Sequence, residues 1–117
     1  MGRNITLGKI LFAIKAGQNY FNVLKDAVTI NPSAYKKAEM ELERRGLITA
    51  NHDRNTRRIL ITLNDERIDE IDALIDDYIN YIEKEFIKFF RTLQKVNAER
   101  AEKLLEKLKG DLDAKGN

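Results

Sequence analysis

Seven residues in two short clusters carry the chemistry that stands out: Ser33, Ala34, Lys36 and Lys37 in one, Arg54, Arg57 and Arg58 in the other. An arginine guanidinium presents its donors in a planar fork that matches a phosphate, and its charge suits the negative potential of a narrow minor groove. Lysine adds a point charge, a serine hydroxyl can hydrogen-bond to a base edge, and Ala34 or Pro32 offers apolar contact to a thymine methyl. Such side chains suit recognition of a nucleic-acid duplex. Side chains for bond making are scarce by contrast. The chain has no cysteine and one histidine, His52, which removes thiolate nucleophiles, disulfides and cysteine-based zinc sites and leaves no imidazole pair. There is no Gly-rich phosphate loop and no nucleophile beside a base. Asp65, Asp69, Asp72 and Asp76 share one helical stripe, which reads as a solvated face favouring a helix N-terminus and a basic partner segment. The sequence therefore predicts no enzyme, no cofactor and no metal site.

Both clusters need a scaffold, and the spacing of apolar residues predicts one. Leu7, Ile10, Leu11 and Ile14 recur at helical intervals, with Asn4 or Thr6 as candidate caps at the start and Gly17 at the end. Gly17, Gln18 and Asn19 form a turn from which Asn19 caps a second helix of about ten residues, with Phe21, Leu24 and Val28 on its inner face. Asn31 before Pro32 is a cap followed by a residue suited to a first helical turn, so a third helix is predicted over 31–45, closed by Gly46. Tyr35, Ala38 and Leu42 point it inward and leave Ser33, Lys36 and Lys37 outward. The β-branched and aliphatic runs at 47–50 and 58–63 flank 51–56, rich in turn formers, and predict a hairpin with a six-residue loop whose Ile59, Ile61 and Leu63 lean on the helices. All six glycines are read at helix ends, turns and termini. The predicted fold class is mainly α with a small β-hairpin, a winged helix-turn-helix domain over residues 1–64. In that plan the helix at 31–45 enters the major groove and the wing at 51–58 contacts the minor groove or the backbone.

Residues 65–109 contain neither proline nor glycine. Ile68, Ile71, Ile75, Tyr78 and Ile82 keep a 3-4 spacing, and Phe86, Phe89, Leu93 and Val96 continue it after a one-position shift. Ala101, Leu104 and Leu108 complete the stripe. This predicts a long C-terminal helix, either unbroken over roughly 65 Å or interrupted with Asn97 capping a separate last helix. Residues 110–117 are expected to form a flexible tail. A rod of that length needs a partner, and Ile68, Ile71, Ile75, Tyr78, Ile82, Phe86, Phe89 and Leu93 are the candidate dimerisation residues. Positions 65–85 hold two basic and nine acidic residues and 86–109 hold seven basic and three acidic, so a coiled coil pairs best as an antiparallel homodimer. The aromatics Tyr78, Tyr81, Phe86, Phe89 and Phe90 read as core at helical spacing, and no small-molecule effector site is evident.

The chain has 117 residues, 43% hydrophobic and 34% charged, enough for one core domain plus one extra element. Its apolar runs are too short for a bilayer, and Lys9 and Lys15 interrupt the stretch where a secretion leader would need to be apolar. A cytoplasmic location with no membrane partner is expected. Residues 1–64 carry 11 basic against 5 acidic side chains, and 65–117 carry 10 against 14, so the first half faces a polyanion. The predicted function is a homodimeric DNA-binding transcriptional regulator, repressing by occupying a pseudo-palindromic site. Two alternatives are a non-specific architectural or chromatin DNA-binding protein and a winged-helix protein-interaction module on a coiled-coil scaffold.

The segments LERRGLI, Asp53, the arginine pair at 57–58 and ILITLN resemble the MarR-type winged-helix regulators, and YFNVL is similar to the related HxlR branch. The resemblance spans residues 7–65. Carried over by position, it implies that Ser33, Ala34, Lys36 and Lys37 face double-stranded DNA and that Arg58 is the wing arginine. Thr56 departs from the pattern, standing where these families usually place a second aspartate. The winged domain also starts too early in the chain to leave room for their N-terminal dimerisation helix. Small archaeal winged-helix proteins with a terminal antiparallel coiled coil are similar in overall architecture.

Overall fold

The stripe Leu7, Ile10, Leu11 and Ile14 is buried along its whole length, and the first part of the molecule is built around it. The computed structural model describes the backbone of residues 3–28 and 31–115 and the side chains of 4–28 and 31–111. Within these residues the order is α1 (Arg3–Lys15), α2 (Phe21–Val28), α3 (Pro32–Arg44), β1 (Ile48–Asp53), β2 (Arg58–Leu63), a 3-10 turn (Asp65–Arg67), α4 (Ile68–Val96) and α5 (Ala98–Lys115). The chain divides into two units, one ending at Tyr81 and the other beginning at Ile82.

In the first unit, α1 already includes Asn4 and Thr6, so neither marks its start. Its end follows from Gly17 in the left-handed region, φ +98°, where the Gly17 and Gln18 N–H groups donate to the carbonyls of Ile14 and Ala13 at 3.0 and 3.1 Å. Asn19 does not cap α2. Its carbonyl accepts the Ile61 N–H at 2.7 Å and Tyr20 makes an isolated antiparallel bridge to Leu60, so these two residues tie the turn before α2 to the edge of β2. The Tyr20 carbonyl accepts the Leu24 N–H instead, at 2.8 Å. The start of α3 forms as the Asn-Pro pair predicts: Asn31 Oδ1 accepts from the N–H groups of Ser33 and Ala34 at 2.8 and 3.4 Å, and Pro32 gives up no helical donor. Gly46 ends it with φ +73°.

The hairpin is longer and its turn tighter than the sequence suggests. The antiparallel register runs from Ile48 opposite Leu63 to Asp53 opposite Arg58, which places Asn51 and His52 in the ladder and leaves 54–57 as the turn. The cause is Asp53. Its carboxylate accepts the Asn55 N–H at 2.9 Å and the Thr56 N–H at 3.4 Å, an Asx turn that reverses the chain early, and Arg57 completes the reversal at φ +58°. Ile61 is fully buried, with Ile59 and Leu63 packed beside it. Asn64 then ties the root together: its amide donates to the Gly46 carbonyl at 2.8 Å and its Oδ1 accepts from Glu66 at 3.1 Å.

Gly8 overturns the reading of glycines as ends and turns. It lies inside α1, where a Cβ would overlap the Leu74 carbonyl oxygen and come within 2.9 Å of Tyr78 Cβ. The first half of α4 therefore lies directly against the backbone of α1. Ile71, Leu74 and Ile75 are buried in the same core as the α1 stripe, Phe12 and Tyr78 pack with ring centroids 5.4 Å apart, and Lys15 Nζ donates to Asp72 at 2.9 Å. Ile71 and Ile75, candidates for dimerisation, are thus covered by their own chain: an apolar side chain already removed from water gains nothing from a second partner.

The second unit holds the rest of α4 and α5. The helix is interrupted at Asn97, the second of the two alternatives left open by the sequence. Asn97 N–H donates to Leu93 O at 2.7 Å, ending α4, and Asn97 Oδ1 accepts the Arg100 N–H at 3.0 Å, capping α5. Helix α5 passes through Gly110 to Lys115, so 110–115, read as a tail, is helical in backbone, and 116–117 fall outside the described residues. Among the described residues no helix is long and apolar enough to cross a membrane.

Candidate nucleic-acid interface

The first cluster sits where the cap of α3 places it. Ser33, Ala34, Lys36 and Lys37 are all exposed on the first turns of the helix, and Tyr35 and Ala38 are buried on the opposite side. The outward stripe continues with Met40, which is 59% exposed and lies three residues beyond Lys37, one helical turn on. Sequence reasoning passed over it because a methionine carries no charge. Beneath the stripe, the buried Tyr35 hydroxyl and Glu39 Oε2 lack hydrogen-bond partners of good geometry. Burial first, and the neighbouring Glu39 second, push the Tyr35 hydroxyl well above the ordinary tyrosine range, so it stays neutral.

The arginines fall into two kinds. Arg44 and Arg45 are both held by Glu41, which is only 8% exposed: Arg44 Nη2 lies 2.5 Å from Oε2 and Arg45 Nε 3.1 Å from Oε1. That bond, together with the charge, raises the Arg44 pKa above its ordinary value. Their spacing of three and four residues from Glu41 is a signal the sequence contained. Arg54, Arg57 and Arg58 are exposed in and beside the wing turn, and among the described residues no carboxylate pairs with any of them. Arg58 lies over the Tyr20 ring, 5.3 Å from its centroid. On α3, Lys36 lies 5.9 Å over the Phe21 ring and 3.9 Å from Glu39 Oε1. The two clusters are therefore joined through the adjacent residues Tyr20 and Phe21.

Asp53, which shapes the wing turn, is held below the usual carboxylate range chiefly by the Asn55 backbone N–H, then by Thr56. Thr56, at the position where the resemblance calls for a second aspartate, thus still serves the turn. His52 is exposed opposite Ile59 in the ladder. Among the described residues no three His, Cys, Asp or Glu side chains are grouped to hold a metal ion. Of the dimerisation candidates, Ile68 and Tyr78 lie in the first unit with Ile71 and Ile75. Ile82, Phe86, Phe89 and Leu93 lie in the second. There Ile82, Phe86 and Phe89 are 42%, 47% and 56% exposed.

No family model matches the chain and no curated protein does. Solved structures do match. One is ZitR of Lactococcus lactis, a zinc-responsive MarR family member: TM-score 0.61 and 20% identity over 96% of this chain and 75% of that one. A second is the PcaV transcriptional regulator of Streptomyces coelicolor in complex with its natural ligand: TM-score 0.56 and 21% identity over 92% of this chain and 73% of that one. A third is the MepR–DNA complex of Staphylococcus aureus: TM-score 0.54 and 21% identity over 94% of this chain and 76% of that one. The fold of this chain is that of the MarR-family winged-helix regulators.

Proposed function

We propose that the chain is a cytoplasmic, homodimeric DNA-binding transcriptional regulator that represses by occupying a two-fold site. Helix α3 reads the major groove with Ser33, Ala34, Lys36 and Lys37, and the wing follows the minor groove or backbone with Arg54, Arg57 and Arg58. One observation carries the reading: among the described residues the cations of the wing have no acidic partner, in a chain that pairs Arg44 and Arg45 with a nearly buried glutamate. Unpaired arginines at a turn are expensive in self-repulsion and are relieved by phosphates. That a protein of the same fold, MepR, has been captured with DNA supports a duplex as the polyanion. The exposed Ile82, Phe86 and Phe89 are assigned, with Leu93, to the contact with a second copy. The acidic 65–85 and basic 86–109 segments supply opposite charge for an antiparallel arrangement.

The test is selection of duplexes from a random-sequence pool by the purified protein, followed by affinity measurements on the enriched site and on bulk DNA at one salt concentration. A regulator gives a specificity ratio of about 10³ or more, with two half-sites related by a dyad. A ratio near one assigns the protein to architectural DNA binding. Absence of any binding at low salt removes DNA as the partner.

A further inference from the structure

Tyr20 and Phe21 are consecutive, yet each lies under a cation from a different element: Tyr20 under Arg58 of β2 at 5.3 Å, Phe21 under Lys36 of α3 at 5.9 Å. Both distances are within the roughly 6 Å over which a ring face attracts a cation. Neither aromatic is free to drift. Tyr20 is fixed by its bridge to Leu60 and by the Asn19 carbonyl holding Ile61 at 2.7 Å. Phe21 is half-buried against the core and meets Tyr35 edge-on, with centroids 5.9 Å apart. Arg58 and Leu60 share one face of the strand, being two residues apart, so Tyr20 is the diagonal cross-strand neighbour of Arg58.

Resting on the DNA-binding reading above, we infer that the Tyr20-Phe21 pair is a positioning platform that sets the wing cation Arg58 and the helix cation Lys36 in place before a duplex arrives. The physical point is the kind of contact. A carboxylate occupies the N–H donors of a guanidinium, as Glu41 does for Arg44 and Arg45. A ring face beneath the plane orients the same group and leaves its edge donors open for a phosphate fork. Ordering the side chain in the free protein removes part of the entropy cost of binding. Two such contacts from adjacent residues also fix the reach from α3 to the wing, which must match the path of the phosphate backbone between two grooves.

The test uses the full chain and a mixed-sequence duplex. Tyr20→Leu is expected to weaken binding by about two- to fivefold, and Tyr20→Phe, which keeps the ring face, to stay within a factor of about 1.5 of wild type by the same reasoning. In an Arg58→Ala background, Tyr20→Leu is expected to have no further effect. Melting curves of each variant control for folding. In the free wild-type protein, the Arg58 side-chain protons are expected upfield of their ordinary position from the Tyr20 ring current, a shift kept in Tyr20→Phe. This last readout stands even if Tyr20→Leu fails to fold. An equal loss from Tyr20→Leu with and without Arg58, or Arg58 protons at ordinary positions, overturns the inference while leaving DNA binding intact. A wild-type chain that binds no duplex overturns both.

Discussion

The winged unit has two faces built on opposite rules. Where α1 meets the first half of α4, the backbones interlock at Gly8, and Ile71, Leu74 and Ile75 close an apolar contact with the Lys15–Asp72 pair at its exposed edge. Where α3 meets the wing, Lys36 and Arg58 are exposed over aromatic rings, Lys36 also lying 3.9 Å from Glu39, and the Asp53 carboxylate is taken up by backbone N–H groups of the wing turn. A face made for the fold excludes water and tolerates no added atom. On the other face the three wing arginines have no carboxylate partner among the described residues and are exposed to solvent. Substitutions on the two should therefore separate stability from binding.

The largest effect is expected at the interlocked face. Gly8→Val drives a branched side chain into the α4 backbone, and a loss of about 3 kcal/mol or more is expected by thermal or denaturant unfolding. A melting point near wild type would mean that the two helices do not meet as described. Next, replacing Arg54, Arg57 and Arg58 together by alanine should lower duplex affinity on the order of a hundredfold at moderate salt and make the log–log salt slope shallower by about 3. Its melting curve should stay close to that of wild type. An unchanged slope would place the phosphates on some other surface. A sharper form of the comparison sits within one residue type. Arg44→Ala with Arg45→Ala should leave affinity within about threefold and instead lower the melting temperature by a few degrees, because the nearly buried Glu41 loses two cationic contacts.

The smallest effect concerns acid. Asp53 is held below its ordinary value in the fold, so its contribution to the wing turn is complete above the unfolded carboxylate pKa. It is lost as pH falls through the lower, folded value. The protection of the Asn55 and Thr56 amides, measured against their intrinsic exchange rate at each pH, should fall in that acidic window while the amides of Ile10 and Leu11 stay protected. Uniform loss across all four would show that the wing melts only with the whole unit.

Most of the fold was legible because its signals are local. The helical stripe of α1, the Asn31-Pro32 start of α3, the Gly17 and Gly46 stops and the alternating strand β2 each depend on a few neighbouring residues. What escaped depends on pairs of elements. Gly8 is required by a helix some 66 positions away, and nothing within α1 distinguishes it from an ordinary weak spot. Asn19 reads as a cap, yet its carbonyl accepts the Ile61 N–H beside the Tyr20–Leu60 bridge. Ile71 and Ile75 carry the same periodicity as Ile82 and Phe86, and only the packing tells which half of α4 the domain keeps for itself. In the candidate site the charged residues were visible from composition and spacing. The supporting residues Glu41, Tyr20 and Phe21 were not assigned these roles, because a residue that orients a cation has no charge pattern of its own or hides within one.

The central claim is that the start of α3 and the wing contact one duplex together. Backbone amide and arginine side-chain shifts, followed while the labelled protein is titrated with DNA, test it most directly. Perturbations are predicted at residues 33–37 and 54–58 with a common dependence on DNA concentration, and the Arg44 and Arg45 side chains should remain still. Shifts confined to residues 82–115, or to neither cluster, would contradict the account.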